Sequence, residues 1–323
     1  MKIAFLFAGQ YRPISNDLIR YSISNLTKDL DYNIFCYSWD EPGESLDHRE
    51  NIPKTKNDND SYFQISKIFS EFNLKKFETE PYDNFVINLS QTHRKIFNSK
   101  IYHKGTIFAL PQIYTLSKCY KLLEKDDQEY DLIFRCRFDS IYLHPLNIYP
   151  LKRFLNSSNL YNLNFGRAYY PNRIYDIFFG GSKKAMTFLD EIWTDVPQLV
   201  KNKYDNGQDK RDACRLFFIA AVSKKIKIKS FKTRICDIYR PRKDNFYEQY
   251  LLSSHLLSLK FDNSSFQSIP YFMKWYIYRR VNLIKFSIII VKTFFLIPIT
   301  YLKRLKYYFK FNKKYLNFFK KDF

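Results

Sequence analysis

The feature that most constrains the fold is a series of short apolar runs separated by segments of helical spacing. KIAFLFA (residues 2–8) stops at Gly9, as a buried strand feeding a loop does. YNIFCYSW (32–39) and DLIFRCRFDS (131–140) read as two more strands, and a further strand is expected around residues 74–77. Between them, residues 16–30 place Leu18, Ile19, Ile23 and Leu26 on one helical face, and residues 107–124 read as a helix that crosses back before the third run. Strand, helix, strand, helix, strand predicts an α/β domain with a Rossmann-type sheet, mixed but mainly parallel, flanked by helices. Ligands of such sheets bind beyond the carboxyl ends of the strands. That rule puts the AGQYRP turn (8–13) and the end of IFRCRFDS (133–140) on the functional edge.

The connections are less regular. Residues 40–60 are polar, contain Pro42, Gly43 and Pro53, and are expected to form a surface loop because they have nothing to bury. DIFFGGSKKAMTFLDEIW (176–193) reads as a strand, a turn at Gly180 and Gly181, and a helix capped by Ser182. NGQDKRDACRLFFIAAV (206–222) reads as a glycine-containing turn and a helix with Asp209 at its N-cap.

With 323 residues, 46% of them hydrophobic, the chain can build one large domain with an appendage. Its 5 cysteines are odd in number and include no Cys-x-x-Cys pair, which argues against a disulfide framework or zinc site and fits a reducing cytosol. The first apolar run is too short for the hydrophobic region of a signal peptide. The 5 histidines lack metal-ligand spacing, with His255 the one considered as a late ligand. No phosphate-binding glycine-rich loop, Gly-x-Ser-x-Gly elbow or kinase motif set is present.

Charge divides the chain in two. Residues 274–323 carry 13 Lys or Arg against the single acid Asp322, a net +12 of the chain's +21. Lys274, Lys285, Lys292, Lys303, Lys310, Lys314 and Lys321 are spaced so that each returns to within roughly 40° of one helical face. Opposite that stripe lie Ile, Phe, Leu and Tyr. Lys285, Lys292 and Pro298 interrupt the run as a membrane span, which needs about 20 predominantly apolar residues. Amphipathic helices lying on an anionic membrane surface are the expectation for 270–323, with packing of the apolar face on the body as the plainer alternative. Residues 1–262 form the expected body.

The segment IFRCRFDS poses the chemical question, since strand alternation would put Arg135, Arg137 and Asp139 on one face. Two guanidiniums and a carboxylate are costly to bury unless they are paired or used. Such a set can form a salt-bridge lattice in which Asp139 caps a turn, or it can meet phosphates through the forked arginine donors.

Together, KIAFLFAGQYRP, YNIFCYSW, YDLIFRCRFDS and DIFFGGS resemble the bacterial GT-A-like glycosyltransferases of surface-polysaccharide and lipopolysaccharide synthesis, in the group with an R-x-R-x-D strand end. The resemblance covers roughly residues 1–240 and rests on order and spacing. It implies a nucleotide-sugar donor and usually a divalent metal, Mn2+ or Mg2+, bridging the diphosphate. On that basis Asp139 is the candidate metal ligand and a catalytic residue, with Arg135 and Arg137 orienting it or meeting phosphates. Gly9, Gln10, Tyr11 and Arg12 follow the first strand, where such enzymes hold the nucleotide, although this is also an ordinary strand-to-loop turn. Asp176, beside Gly180 and Gly181, is a candidate for the sugar side. Asp209 stands where many inverting members carry the group that deprotonates the acceptor hydroxyl, and N-capping alone also explains it. The sequence departs from the family's Asp-x-Asp, because the residues two either side of Asp139 are Arg137 and Ile141. An arginine-stabilised, metal-free variant therefore stands beside the metal-dependent one.

The function expected is transfer of a sugar from a nucleotide donor to a lipid-linked saccharide at the cytosolic membrane face, with the basic tail holding the enzyme to anionic lipid. A non-catalytic membrane-associated protein of polysaccharide assembly is the alternative. Single-stranded nucleic acid ranks last as a partner, for want of any recognition motif.

Overall fold

The computed structural model describes residues 1–11, 16–40, 61–98, 104–142, 145–152, 155, 157–162, 173–201, 212–231 and 236–238. Arg12, Asp209, the 40–60 loop beyond Asp40, His255 and the whole 270–323 tail lie outside them.

The expected α/β architecture is present. The strand β1 (Lys2–Ala8) is buried along nearly its whole length, as the central strand of a sheet covered on both faces must be. After α1 (Asn16–Leu26), β2 (Asp31–Trp39) pairs with β1 in parallel, and after α2 (Ser61–Phe69), β3 (Leu74–Glu80) pairs in parallel with β2. Then come α3 (Tyr82–Ile87), α4 (Gln91–Phe97) and the long α5 (Lys104–Glu124), which returns the chain to β4 (Leu132–Cys136), parallel to β1 on its other side. The chain continues through β5 (Ser140–Tyr142), α6 (Tyr149–Lys152), β6 (Asn159–Asn162), β7 (Phe179–Ser182), α7 (Lys183–Met186), α8 (Phe188–Lys201), α9 (Ala213–Ser223), β8 (Lys227–Ser230) and β9 (Cys236–Ile238). The main sheet has seven strands in the order β3-β2-β1-β4-β7-β6-β8. Only β7 runs against its neighbours, being antiparallel to β4 and β6, while β6 and β8 are parallel. β5 and β9 form a separate antiparallel pair.

Alternation along β1 builds two cores. Ala4, Leu6 and Ala8 join Leu110, Ile113 and Leu116 of α5, with α8 and α9 behind them. Ile3, Phe5 and Phe7 join Ile19 and Ile23 of α1 and Ile65 and Phe69 of α2 on the opposite face. Helices therefore cover both faces, and the strand ends are the remaining place for ligands.

The structure corrects four local expectations. The first helix stops at Leu26 instead of running to residue 30, because the chain turns back through Asp29 at φ 59°. The third strand ends at Cys136, so Arg137 and Asp139 lie in the turn before β5 and do not continue one strand face with Arg135. Gly180 and Gly181 are strand residues, not a turn. A Cβ on Gly180 would stand 2.2 Å from Phe134 Cδ1 and 2.4 Å from the Ile133 carbonyl oxygen, and one on Gly181 would stand 2.5 Å from the Asn159 carbonyl oxygen. Their function is close approach of β7 to β4 and β6, so they are not available to admit a sugar. Finally, α9 is capped by Asp212, which accepts from the Arg215 amide, and not by Asp209. Ser182 is the N-cap expected, accepting from the Ala185 amide.

Gly180→Ala tests the role of the close approach. The clash is with the buried Phe134 ring and with the Ile133 carbonyl, which cannot rotate away, so the substitution should cost about 3 kcal/mol or more of unfolding free energy in a urea titration. A neutral Gly180→Ala would show that β7 can move off β4.

Candidate functional site

The chain runs from β1 outward to β2 and β3, then crosses to the other side of β1 to form β4. The gap beyond the carboxyl ends of β1 and β4 is therefore the topological switch point of the sheet, where open α/β sheets bind ligands. Gly9 follows β1 there, at φ 116°, a conformation that residues with a Cβ rarely adopt, and its amide donates to the Tyr37 carbonyl at 3.2 Å. Gln10 is exposed. Tyr11 is 1% exposed, its amide donating to Ser38 Oγ at 3.2 Å and its ring standing edge-on to Phe138, so it belongs to the core and does not present a face for a base to stack on. Burial pushes its pKa up to about 12.

From β4, Arg135 enters this gap with 1% exposure. Its Nη1 donates to the Cys136 carbonyl, and its Nε is buried with no acceptor. Burial, and then the like charge of Arg137, lower its pKa, while Asp176 opposes the shift. Arg137 is engaged through all three guanidinium nitrogens. Its Nε and Nη2 form a two-pronged pair with Asp139 Oδ1 and Oδ2 at 2.7 and 2.8 Å, and its Nη1 donates to Asp176 Oδ2 at 2.7 Å. Burial acts to lower the Arg137 pKa, but the two carboxylates more than offset it and hold the group above its ordinary value. The turn carrying this pair is closed by Tyr142, whose hydroxyl accepts from the Arg137 amide at 3.2 Å.

Asp176 extends the network. Its Oδ1 accepts from the Cys214 thiol at 3.4 Å, and burial followed by the nearby Asp176 and Asp212 charges keeps that thiol protonated. Arg173 Nη1 donates to Asp212 Oδ2 at 2.6 Å and the Ile174 amide to the Cys214 carbonyl at 2.9 Å, so the segment leading to β7 is stitched to the start of α9. Of the residues expected from sequence, the structure brings Gly9, Arg135, Arg137, Asp139 and Asp176 into one neighbourhood. Arg173, Cys214 and Asp212 carried no signal, because their contacts join segments far apart in the chain, and Tyr142 was missed because its contact depends on the turn between β4 and β5. A second polar group at the same edge was also missed: Tyr37 and Tyr114 both reach Glu80 at the ends of β2 and β3, with Tyr114 Oη donating to Oε2 at 3.3 Å, and Trp39 packs beside them.

These donors do not fit a divalent metal. Both oxygens of Asp139 accept from Arg137, and those of Asp176 accept from Arg137 and Cys214. The Arg137 guanidinium occupies the position between two carboxylates that a cation would take. Among the described residues no group of three His, Cys, Asp or Glu is placed to hold a metal ion.

No family model matches the chain, and no curated protein matches it either. Among solved structures, the galactosyltransferase LgtC, in complex with donor and acceptor sugar analogs, aligns with a TM-score of 0.36 and 9% identity, covering 71% of this chain and 73% of that one. At that level of likeness, the site has to be argued from its own residues.

Asp139→Ala removes one carboxylate from a buried guanidinium and should lower unfolding free energy by about 3–5 kcal/mol. Replacing all three partners with apolar groups (Arg137→Met, Asp139→Ala, Asp176→Leu) should recover much of that loss, since no charge of this network is then left without its partner. Urea unfolding of the two variants checks both statements.

Proposed function

We propose that this chain is a nucleotide-sugar-dependent glycosyltransferase of the hexosyl-transferring type, with a GT-A-like domain, acting on a lipid-linked or cell-surface saccharide. The observation that carries this reading is the pair of guanidiniums at the β1–β4 switch point, Arg135 fully buried with an unanswered donor and Arg137 largely buried with 12% of its side chain exposed. When a glycosidic bond to a nucleoside diphosphate breaks, negative charge accumulates on the leaving diphosphate, and fixed donors in a low-dielectric site stabilise it. Arg135 is placed to meet that charge. Arg137, locked by Asp139 and Asp176, acts as a positioning residue that sets the turn after β4 and the local potential. Gly9 supplies the turn after β1 and places no side chain beside Arg135.

In this reading the enzyme works on the cytosolic face of the membrane. The lysine stripe of residues 274–323 draws it to anionic lipid, where a lipid-linked acceptor lies. Retention of the fold by a non-catalytic assembly protein is the second reading. It is favoured by one observation, that every oxygen of Asp139 and Asp176 already accepts a hydrogen bond and neither is an open general base.

A thermal-shift panel of nucleoside diphosphates and nucleotide sugars separates the two. At least one nucleotide should raise the melting temperature, by an amount that grows with the logarithm of its concentration. A well-folded sample that responds to none would support the non-catalytic protein.

The membrane component has its own test. Replacing Lys285, Lys292, Lys303 and Lys310 with Glu should abolish sedimentation with phosphatidylserine vesicles, because each lysine near such a surface contributes about 1 kcal/mol and the reversal makes it repulsive. Sedimentation unchanged by the reversal would show that the lysine stripe does not hold the chain to the membrane.

A further inference from the structure

We propose that Arg135 is the anion-binding group of the switch-point site and takes a diphosphate directly on its guanidinium, with no bridging divalent cation. This rests on the glycosyltransferase reading for the source of the diphosphate, a nucleotide donor. The two arginines of the R-x-R pair have divided the work. Arg137 spends all three guanidinium nitrogens on Asp139 and Asp176. By doing so it takes the two carboxylates that a metal would need.

Arg135 is in the opposite condition. Among the described residues its one acceptor is the carbonyl of its own neighbour Cys136, and Nε is buried with none. A charged donor left unmade in the interior is costly, and an apolar side chain would fill the same space at no such cost. The arrangement makes sense where a ligand oxygen completes it. A guanidinium edge offers two parallel donors at the spacing of phosphoryl oxygens, which the point charge of a lysine does not. Gly9 fits the same purpose. A Cβ there would stand 3.9 Å from Arg135 Nη2, so the turn after β1 passes beside the guanidinium without a side chain between them. Burial then strengthens the contact, because the charge acts through a low dielectric.

The test is calorimetric titration of the full-length protein with inorganic pyrophosphate, UDP and GDP, first in EDTA and then with Mn2+. Sodium chloride at about 0.3 M screens loose binding to the basic tail, since the screening length is then well below 10 Å. A diphosphate should bind in EDTA with a dissociation constant within about threefold of that with Mn2+, and Arg135→Gln should weaken it at least tenfold, about 1.4 kcal/mol. Arg20→Gln, at the exposed ion pair with Glu71, should leave it unchanged. If Arg135→Gln does not fold, Arg135→Lys replaces it, with the same loss expected because the charge remains and the fork does not.

Tighter binding of a nucleotide than of pyrophosphate identifies the donor as the source. Pyrophosphate binding alone sustains the site and removes the transferase reading. Binding that requires Mn2+ overturns the proposal and leaves a metal-dependent transferase standing, and binding that survives in a folded Arg135 variant overturns it by placing the anion on another group. No binding of any of the three in either condition overturns it as well, and the nucleotide-sugar panel then decides the transferase reading separately.

Discussion

The arrangement at the carboxyl edge depends on one ion-pair network, the Arg137 guanidinium held between Asp139 and Asp176. Asp139 is two residues away and Asp176 thirty-nine, so the first contact shapes a turn while the second ties together two parts of the fold. Through Cys214 and the Arg173–Asp212 pair, the same network reaches the start of α9. A buried charge of this kind adds little net stability over an apolar substitute, but losing any one member is expensive. Its effect is to make one geometry much better than its neighbours.

The antiparallel course of β7 is what makes this network possible. Because β7 runs against β4, with Phe179 opposite Arg135, the residues that precede β7 lie beside those that follow β4. Continuing that register carries Asp176 to the level of Phe138, between Arg137 and Asp139. A parallel β7 would have delivered Asp176 to the opposite edge. The close approach of β7 to β4, which only glycine permits at position 180, then sets how near the carboxylate comes. Topology, the glycine pair and the charge network are thus one device.

Much of this fold was legible from apolar runs alone. β1, β2 and β4 are continuous enough that burial on both faces leaves an unambiguous pattern, and α5 is long enough to be read as a helix. What was misread depended on contacts between distant residues. Gly180 and Gly181 carry a turn signal locally and are strand residues because Phe134, Ile133 and Asn159 crowd them. Asp209 and Asp212 are equally good caps by composition, and the helix begins after the second. At the site, the cluster Arg135, Arg137 and Asp139 was visible as charge inside an apolar strand. That Asp139 faces Arg137 through both oxygens follows from the turn at Phe138, and the participation of Cys214 and Arg173 follows from the way α9 docks, neither of which local spacing encodes.

A guanidinium clamped by two carboxylates differs from a metal in the same place. A metal site responds to ion concentration, accepts a ligand oxygen in its own shell and can be emptied. Arg137 is covalently attached, keeps its charge at every working pH and has all three guanidinium nitrogens engaged by carboxylates, with three of its five N–H donors committed. It imposes a potential and a shape, with two carboxylates already seated on it. Arg135 has an unanswered donor, and burial and then the like charge of Arg137 disfavour its cation, with Asp176 opposing the shift. In the proposed site an anion at Arg135 would meet a cation held in an unfavourable state, and its binding would satisfy the unmet donor and offset the like-charge repulsion. The network around Arg137 prevents the fold from relieving that condition by letting Arg135 capture Asp139 or Asp176 for itself.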